Sequence, residues 1–147
     1  MHHAIIDTNV LIRSILKPQS SDGIIFRQFL SGNLMLYYSE KQLLEIGRVL
    51  TYPRIQKKYQ ISIDSVTTFL KIITTFGILI TPSQTVSLCR DPDDNELIST
   101  ALSVEKKDVM LITGDMDLLV LRDQLSEIII LTAHEFVQEK LKFKNPH

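Results

Sequence analysis

The chain has 147 residues, of which 44% are hydrophobic and 22% charged, and a net charge of −1. That is the composition of an ordinary soluble globular protein, at a length that fits one compact domain, residues 1–147, and leaves no room for two. The charge balance excludes coating of nucleic acid by bulk electrostatics, for which a clearly basic domain is expected. No apolar run approaches the ~20 residues needed to span a bilayer. The opening "MHHAIIDTNVLIRSIL" lacks the basic start of a signal peptide, and the single Cys89 allows no internal disulfide. A reducing, cytoplasmic setting without membrane attachment is therefore expected.

The elements alternate along the chain. "HAIID" is a short apolar run ending in a carboxylate, a first strand over about residues 3–7. "VLIRSIL" reads as one or two helical turns broken by Pro18. "SSDGIIFRQFLSGN" has Ile24, Ile25, Phe29 and Leu30 at helical spacing and stops at Gly32 and Asn33. "LMLYY" is a second strand. "SEKQLLEIGRVL" starts with Ser39 as N-cap and Gln42 three residues later, a capping-box pattern, and ends near Tyr52 because Pro53 disfavours helix one residue earlier. "RIQKKYQ" is a short basic helix, and "SIDSVTTFLKIITTF" a longer one. "GILIT" is a third strand, stopped before Pro82. A helix follows from about Pro92 to Glu105. "VMLIT" and "EIIIL" are strands four and five, with the short helix "DMDLLVLR" between them. "TAHEFVQEKL" closes the chain as a helix capped by Thr132. Five short apolar strands separated by helices predict an α/β sandwich with a mostly parallel sheet.

Such sheets bind ligands beyond the carboxyl ends of their strands, where strand order reverses. Asp7 ends strand one, and Asp115 follows strand four with Asp117 two residues on. If those strands are neighbours, Asp7 and Asp115 face each other across the crevice; alternatively each caps the helix after it, since Asp is a preferred N-cap. In "CRDPDDNELISTAL", Asp91 with Pro92 makes a good helix start, and acids in the first turn favour the helix dipole. Asp94 differs. It sits three, four and seven residues before Leu97, Ile98 and Ala101, so it extends the apolar stripe that also holds Leu102. A carboxylate on a core face is costly unless paired or bound to metal. Glu45 lies well round from Leu43, Ile46 and Leu50, and spacing alone predicts it exposed. Should Asp7, Asp94 and Asp115 converge, two such charges 4 Å apart repel by about 4 kcal/mol at an effective dielectric near 20. They then need a cation or must take up protons. Oxygen ligands without Cys or His favour Mg²⁺ or Mn²⁺, which points to metal-assisted hydrolysis of a phosphodiester.

At "IIDTNVLI", "LLEIGRVLTYPRI", "CRDPDDNELISTAL" and "LITGDMDLL" the sequence resembles the PIN-domain family of metal-dependent ribonucleases, and within it the PIN toxins of prokaryotic toxin–antitoxin modules. The four stretches in order cover most of the chain. The resemblance implies an α/β/α sandwich with a parallel five-stranded sheet in the order 3-2-1-4-5. It implies an acidic site of Asp7, Glu45, Asp94, Asp115 and Asp117 that holds one or two Mg²⁺ or Mn²⁺ ions. Asn9, Ser39 and Thr113 match polar positions that often line such sites, Asn9 and Thr113 beside the substrate. RNA is the implied substrate, cut by activated water without a side-chain nucleophile. Arg48, with Arg13, Lys17, Lys41, Arg54, Lys57, Lys58 and Arg90, is a candidate for the phosphate backbone. A cognate antitoxin and a homodimer are the implied partners.

A phosphoacceptor receiver domain needs adjacent acids after strand one, an aspartate after strand three and a lysine after strand five, whereas these strands end "DTN", "TPS" and "TAH". A haloacid-dehalogenase-type phosphatase wants an aspartate where Asn9 stands. The stronger rival is a PIN module that binds RNA or a protein without cutting. A degenerate module is expected to lose some of the acids, and here all of them are present.

Overall fold

The computed structural model describes residues 1–141. It holds a five-stranded, all-parallel sheet in the order β3-β2-β1-β4-β5. The strands are β1 (His2–Ile6), β2 (Leu34–Tyr38), β3 (Ile78–Leu79), β4 (Met110–Ile112) and β5 (Ile129–Leu131). Between β1 and β2 run α1 (Thr8–Leu16) and α2 (Ser21–Leu30). Helices α3 (Glu40–Leu50), α4 (Pro53–Tyr59) and α5 (Ile63–Phe76) lead to β3. Helix α6 (Pro92–Leu102) precedes β4, α7 (Met116–Leu119) follows it, and α8 (Ala133–Lys140) follows β5.

Side chains alternate across each strand, and this splits the core in two. Ala4, Ile6, Leu34, Leu36, Met110 and Ile112 face the layer of α1, α2, α3, α5 and α8. Ile5, Tyr37, Leu111 and Ile130 face α6 and α7. The same alternation directs Asp7 and Thr113, one step past Ile6 and Ile112, to the α6 face. Burying side chains such as Ile46, Leu50 and Ile98, all 0% exposed, stabilises the layers by about 1.5–3 kcal/mol each. Buried Asp22 is paired with Arg13 at 2.9 Å, tying α2 to α1 without leaving a lone charge in the interior.

Most elements fall where the periodicity predicts. Helix α1 starts at Thr8, two residues before the apolar run, because Asp7 caps it. Strand β3 is shorter than the predicted "GILIT": Ile78 and Leu79 are both exposed. As an edge strand it pairs only with β2, so apolar composition alone does not extend it. Helix α6 stops at Leu102 rather than Glu105, and Leu102 is only partly buried.

Candidate functional site

The site is built first from the ends of β1 and β4. Their register pairs Ile6 with Ile112, and the ladder runs on as the Asp7 amide donates to the Ile112 carbonyl at 2.8 Å. Asp7 and Thr113 therefore emerge side by side. The Thr113 hydroxyl donates to Asp7 Oδ2 at 2.6 Å, and Thr113 Oγ1 accepts from the Asp115 amide at 3.0 Å. Asp7 also accepts from the Asn9 amide at 3.3 Å, and Asp115 from the Asp117 amide at 2.9 Å. Both acids are N-caps, of α1 and α7, and both line one crevice. The capping and functional readings are thus not exclusive, because each of the two acids caps its helix and lines the crevice at once.

Helix α6 supplies the next acid. Asp91 caps it through the Asp93 amide at 2.9 Å with Pro92 at its first position. Asp93 pairs with Lys41 at 3.1 Å, so it is half-exposed but not simply solvated. Asp94 is 6% exposed, on the same face as Leu97, Ile98 and Ala101. Among the described residues its Oδ2, which is buried, has no hydrogen-bond partner. Burial first, and then the charge of Asp115, pushes the Asp94 carboxyl up to about 7. Burial also raises Asp7, against the pull of its Thr113 and Asn9 hydrogen bonds.

Helix α3 approaches from the other layer. Ser39 caps it by accepting from the Gln42 amide at 3.2 Å. The predicted capping box is only half formed, since the Gln42 side chain donates to the Ile6 carbonyl at the end of β1. Glu45, one turn on, is half-buried and lines the crevice. Spacing alone marks it as exposed; it flanks the apolar stripe, and its side chain reaches the crevice from there. Burial and the nearby Asp93 raise its carboxyl above the usual range.

The resulting crevice, about 90 Å³, is walled by Asp7, Asn9, Gln42, Glu45, Asp94 and Asp115 among others. One carboxylate oxygen each from Asp94, Asp115 and Asp117 lie within 4.8 Å of one another. Asp117 stands outside the crevice lining and is paired with Arg90 at 3.2 Å. Thr113, expected beside the substrate, is 0% exposed. Its hydroxyl is spent on Asp7, so it orients that acid rather than meeting a ligand. Arg48 is exposed and donates to the Tyr52 hydroxyl at 2.5 Å. With Leu44, Glu45 and Lys41 it borders a groove of about 450 Å³ beside the crevice. Of the other candidate bases, Arg13, Lys41 and Arg90 are already paired, with Asp22, Asp93 and Asp117.

An all-oxygen donor set with an unpartnered buried carboxylate oxygen fits a hard divalent cation. Without one, crowded carboxylates take up protons, and the charge of Asp115 adds to the burial that raises Asp94.

A protein-family model described as a PIN domain matches residues 3–117. The chain belongs to the PIN-domain family. Its match takes in every acid of the crevice, from Asp7 to Asp115, together with Asp117. PIN domains are generally nucleases, and the buried acidic cluster of this one is compatible with metal binding. The PIN domain is also 34% identical over 149 residues to an uncharacterised protein of Methanocaldococcus jannaschii, covering 95% of this chain and 92% of that one. No solved structure matches it. Among the described residues, no helix is long and apolar enough to cross a membrane.

Sequence reasoning missed Gln42, which it used up as half of a capping box. It also passed over Thr8 and Glu96, which border the crevice. Glu96 follows Asp94 by two positions, so helical spacing directs it away from the buried stripe, and no periodic signal marks it.

Proposed function

We propose that this PIN domain is a divalent-metal-dependent ribonuclease that hydrolyses RNA phosphodiester bonds. The observation that carries the reading is the convergence of Asp7, Glu45, Asp94 and Asp115 on one crevice, with a buried Asp94 oxygen that nothing among the described residues satisfies. Asp94 and Asp115, with Asp7 and Glu45 across the crevice and Asp117 at its edge, would hold Mg²⁺ or Mn²⁺. Such an ion lowers the pKa of bound water and neutralises charge on a phosphodiester.

The chain's own residues do the rest. Thr113 keeps Asp7 turned into the crevice. Glu45, with its raised carboxyl, is suited to take the proton of a water attacking phosphorus, and the proton leaves with the departing oxygen as its bond to phosphorus breaks. Lys41 and Arg48, on the groove beside the crevice, offset the phosphate charge. The test is incubation of labelled RNA with the protein and Mn²⁺, with and without chelator, beside Asp7→Asn and Asp94→Asn. Cleavage should stop on chelation and in both variants; cleavage that persists in either case sinks the reading.

The resemblance of the four sequence stretches to PIN toxins supports a narrower role, as a toxin acting in the cytoplasm, held by a cognate antitoxin and paired with a second copy. Expression in cells should arrest growth, and co-expression of the neighbouring reading frame should relieve it. Growth unaffected by the active enzyme counts against the toxin role and leaves the nuclease reading standing.

A further inference from the structure

Gln42 is 3% exposed and lies on the first turn of α3. Its Nε2 donates to the Ile6 carbonyl, and this decides which way the amide points, because two carbonyl oxygens facing each other would repel. Oε1 is therefore the atom left over, and it is buried with no partner among the described residues. A buried amide oxygen without a donor costs about 1–3 kcal/mol, so its persistence calls for a donor supplied from outside the fold.

The surroundings say which kind. Gln42 borders the crevice with Asp7, Glu45, Asp94 and Asp115, and carboxylates ionised around a cation only accept hydrogen bonds. Of the donors in the same lining, the Lys41 ammonium is engaged by Asp93 at 3.1 Å, and among the described residues none, Thr8 and Asn9 included, bonds to Oε1. Two buried acceptors, Gln42 Oε1 and Asp94 Oδ2, thus stand unpartnered at one crevice. The carboxylate oxygen suits a cation directly. The neutral amide oxygen suits the water that a cation such as Mg²⁺ retains.

We propose that Gln42 is a positioning residue for a hydrated divalent cation in the acidic crevice: Oε1 accepts a hydrogen bond from a cation-bound water, while Nε2 anchors the amide to the end of β1. The proposal rests on the metal-dependent reading above. It gives one side chain two tasks, setting the end of the strand that carries Asp7 and orienting the water beside it.

Mn²⁺ binding without RNA tests it, followed by electron paramagnetic resonance and water-proton relaxation on the wild type, Gln42→Met and Gln42→Glu. Both variants lose the Ile6 anchor, and only Q42E keeps an oxygen acceptor at the same reach. Q42M should bind Mn²⁺ about 10-fold more weakly, with the number of metal-bound waters unchanged, while Q42E keeps at least wild-type affinity. Equal affinity in Q42M and wild type overturns the proposal, as does an equal loss in both variants, which would mark the anchor alone as important. A gain of one bound water in Q42M would make Gln42 a direct ligand and also overturn it. A measurement on the wild type needs no variant to fold: on titration with Mg²⁺, the Gln42 side-chain amide resonance should shift with the same midpoint as the Asp94 backbone amide. An unmoved resonance overturns the proposal. A wild-type chain that binds no Mn²⁺ removes the metal-dependent reading with it, whereas tight binding indifferent to Gln42 removes this inference alone.

Discussion

Thr113 Oγ1 stands 2.6 Å from Asp7 Oδ2, joining two residues 106 positions apart in the chain. Because the same oxygen accepts from the Asp115 amide, a single buried hydroxyl sets the spacing of two crevice acids. Thr113→Val keeps the shape and removes the hydroxyl. It leaves a buried carboxylate short of a donor, at a cost of about 1–3 kcal/mol. Urea denaturation should show that loss, Mn²⁺ affinity should fall, and Thr113→Ser should restore both. A valine variant as stable as wild type would show that the hydroxyl contributes nothing.

Asp94 makes the stability of the metal-free protein depend on pH. Its carboxyl is raised from 3.8 to about 7, so the folded state binds a proton more tightly than the unfolded state. The associated stability is fully present below about pH 3.8 and is lost as pH rises through about 7. The slope is at most about 1.4 kcal/mol for each pH unit in that window. Relative to Asp94→Asn, the Tm of chelated wild type should therefore fall between those pH values, and Mn²⁺ should reverse the fall above it. Parallel pH profiles for the two proteins would contradict the assignment.

Lys41 and Asp93 form a half-exposed pair at the rim. Such pairs are worth about 0–1 kcal/mol, so Lys41→Ala should leave urea stability almost unchanged. If Lys41 meets phosphate, KM for RNA should rise with kcat little affected, and the salt dependence of binding should lose about one unit of slope. An unchanged KM would assign Lys41 to the surface alone.

Gly23 lies where α2 crosses the loop after α1. A Cβ there would stand 2.0 Å from the Pro18 carbonyl oxygen, a backbone atom that cannot swing aside. Gly23→Ala should cost about 3 kcal/mol or more. Near-wild-type stability in denaturant would show that the loop yields.

Asp94 is legible in the sequence because its burial follows from local geometry: it shares a helix face with Leu97, Ile98 and Ala101. Asp91 as a cap is legible for the same reason. Glu45 is not. Its side chain enters the crevice from the flank of α3, and that depends on how α3 sits against β1, which the spacing of one helix does not encode; only the resemblance to a family marks it. Gln42 escapes a local reading for a related reason. The capping-box pattern assigns its side chain to the Ser39 amide, three residues back, whereas its Nε2 donates to the Ile6 carbonyl, 36 positions away in the chain.

The sequence by itself determined the alternation of strands and helices, the short apolar strands, the cap at Asp91 and the carboxylates that end β1 and follow β4. These depend on periodicity and on residues within a turn of one another. The tertiary structure decided that β1 and β4 lie side by side, that Thr113 is buried behind Asp7, and that Gln42 is left with a free acceptor. Neighbouring strands in a parallel sheet are joined through long crossovers, so their order and register are set by how the helical layers pack, and no local stretch of sequence carries that information.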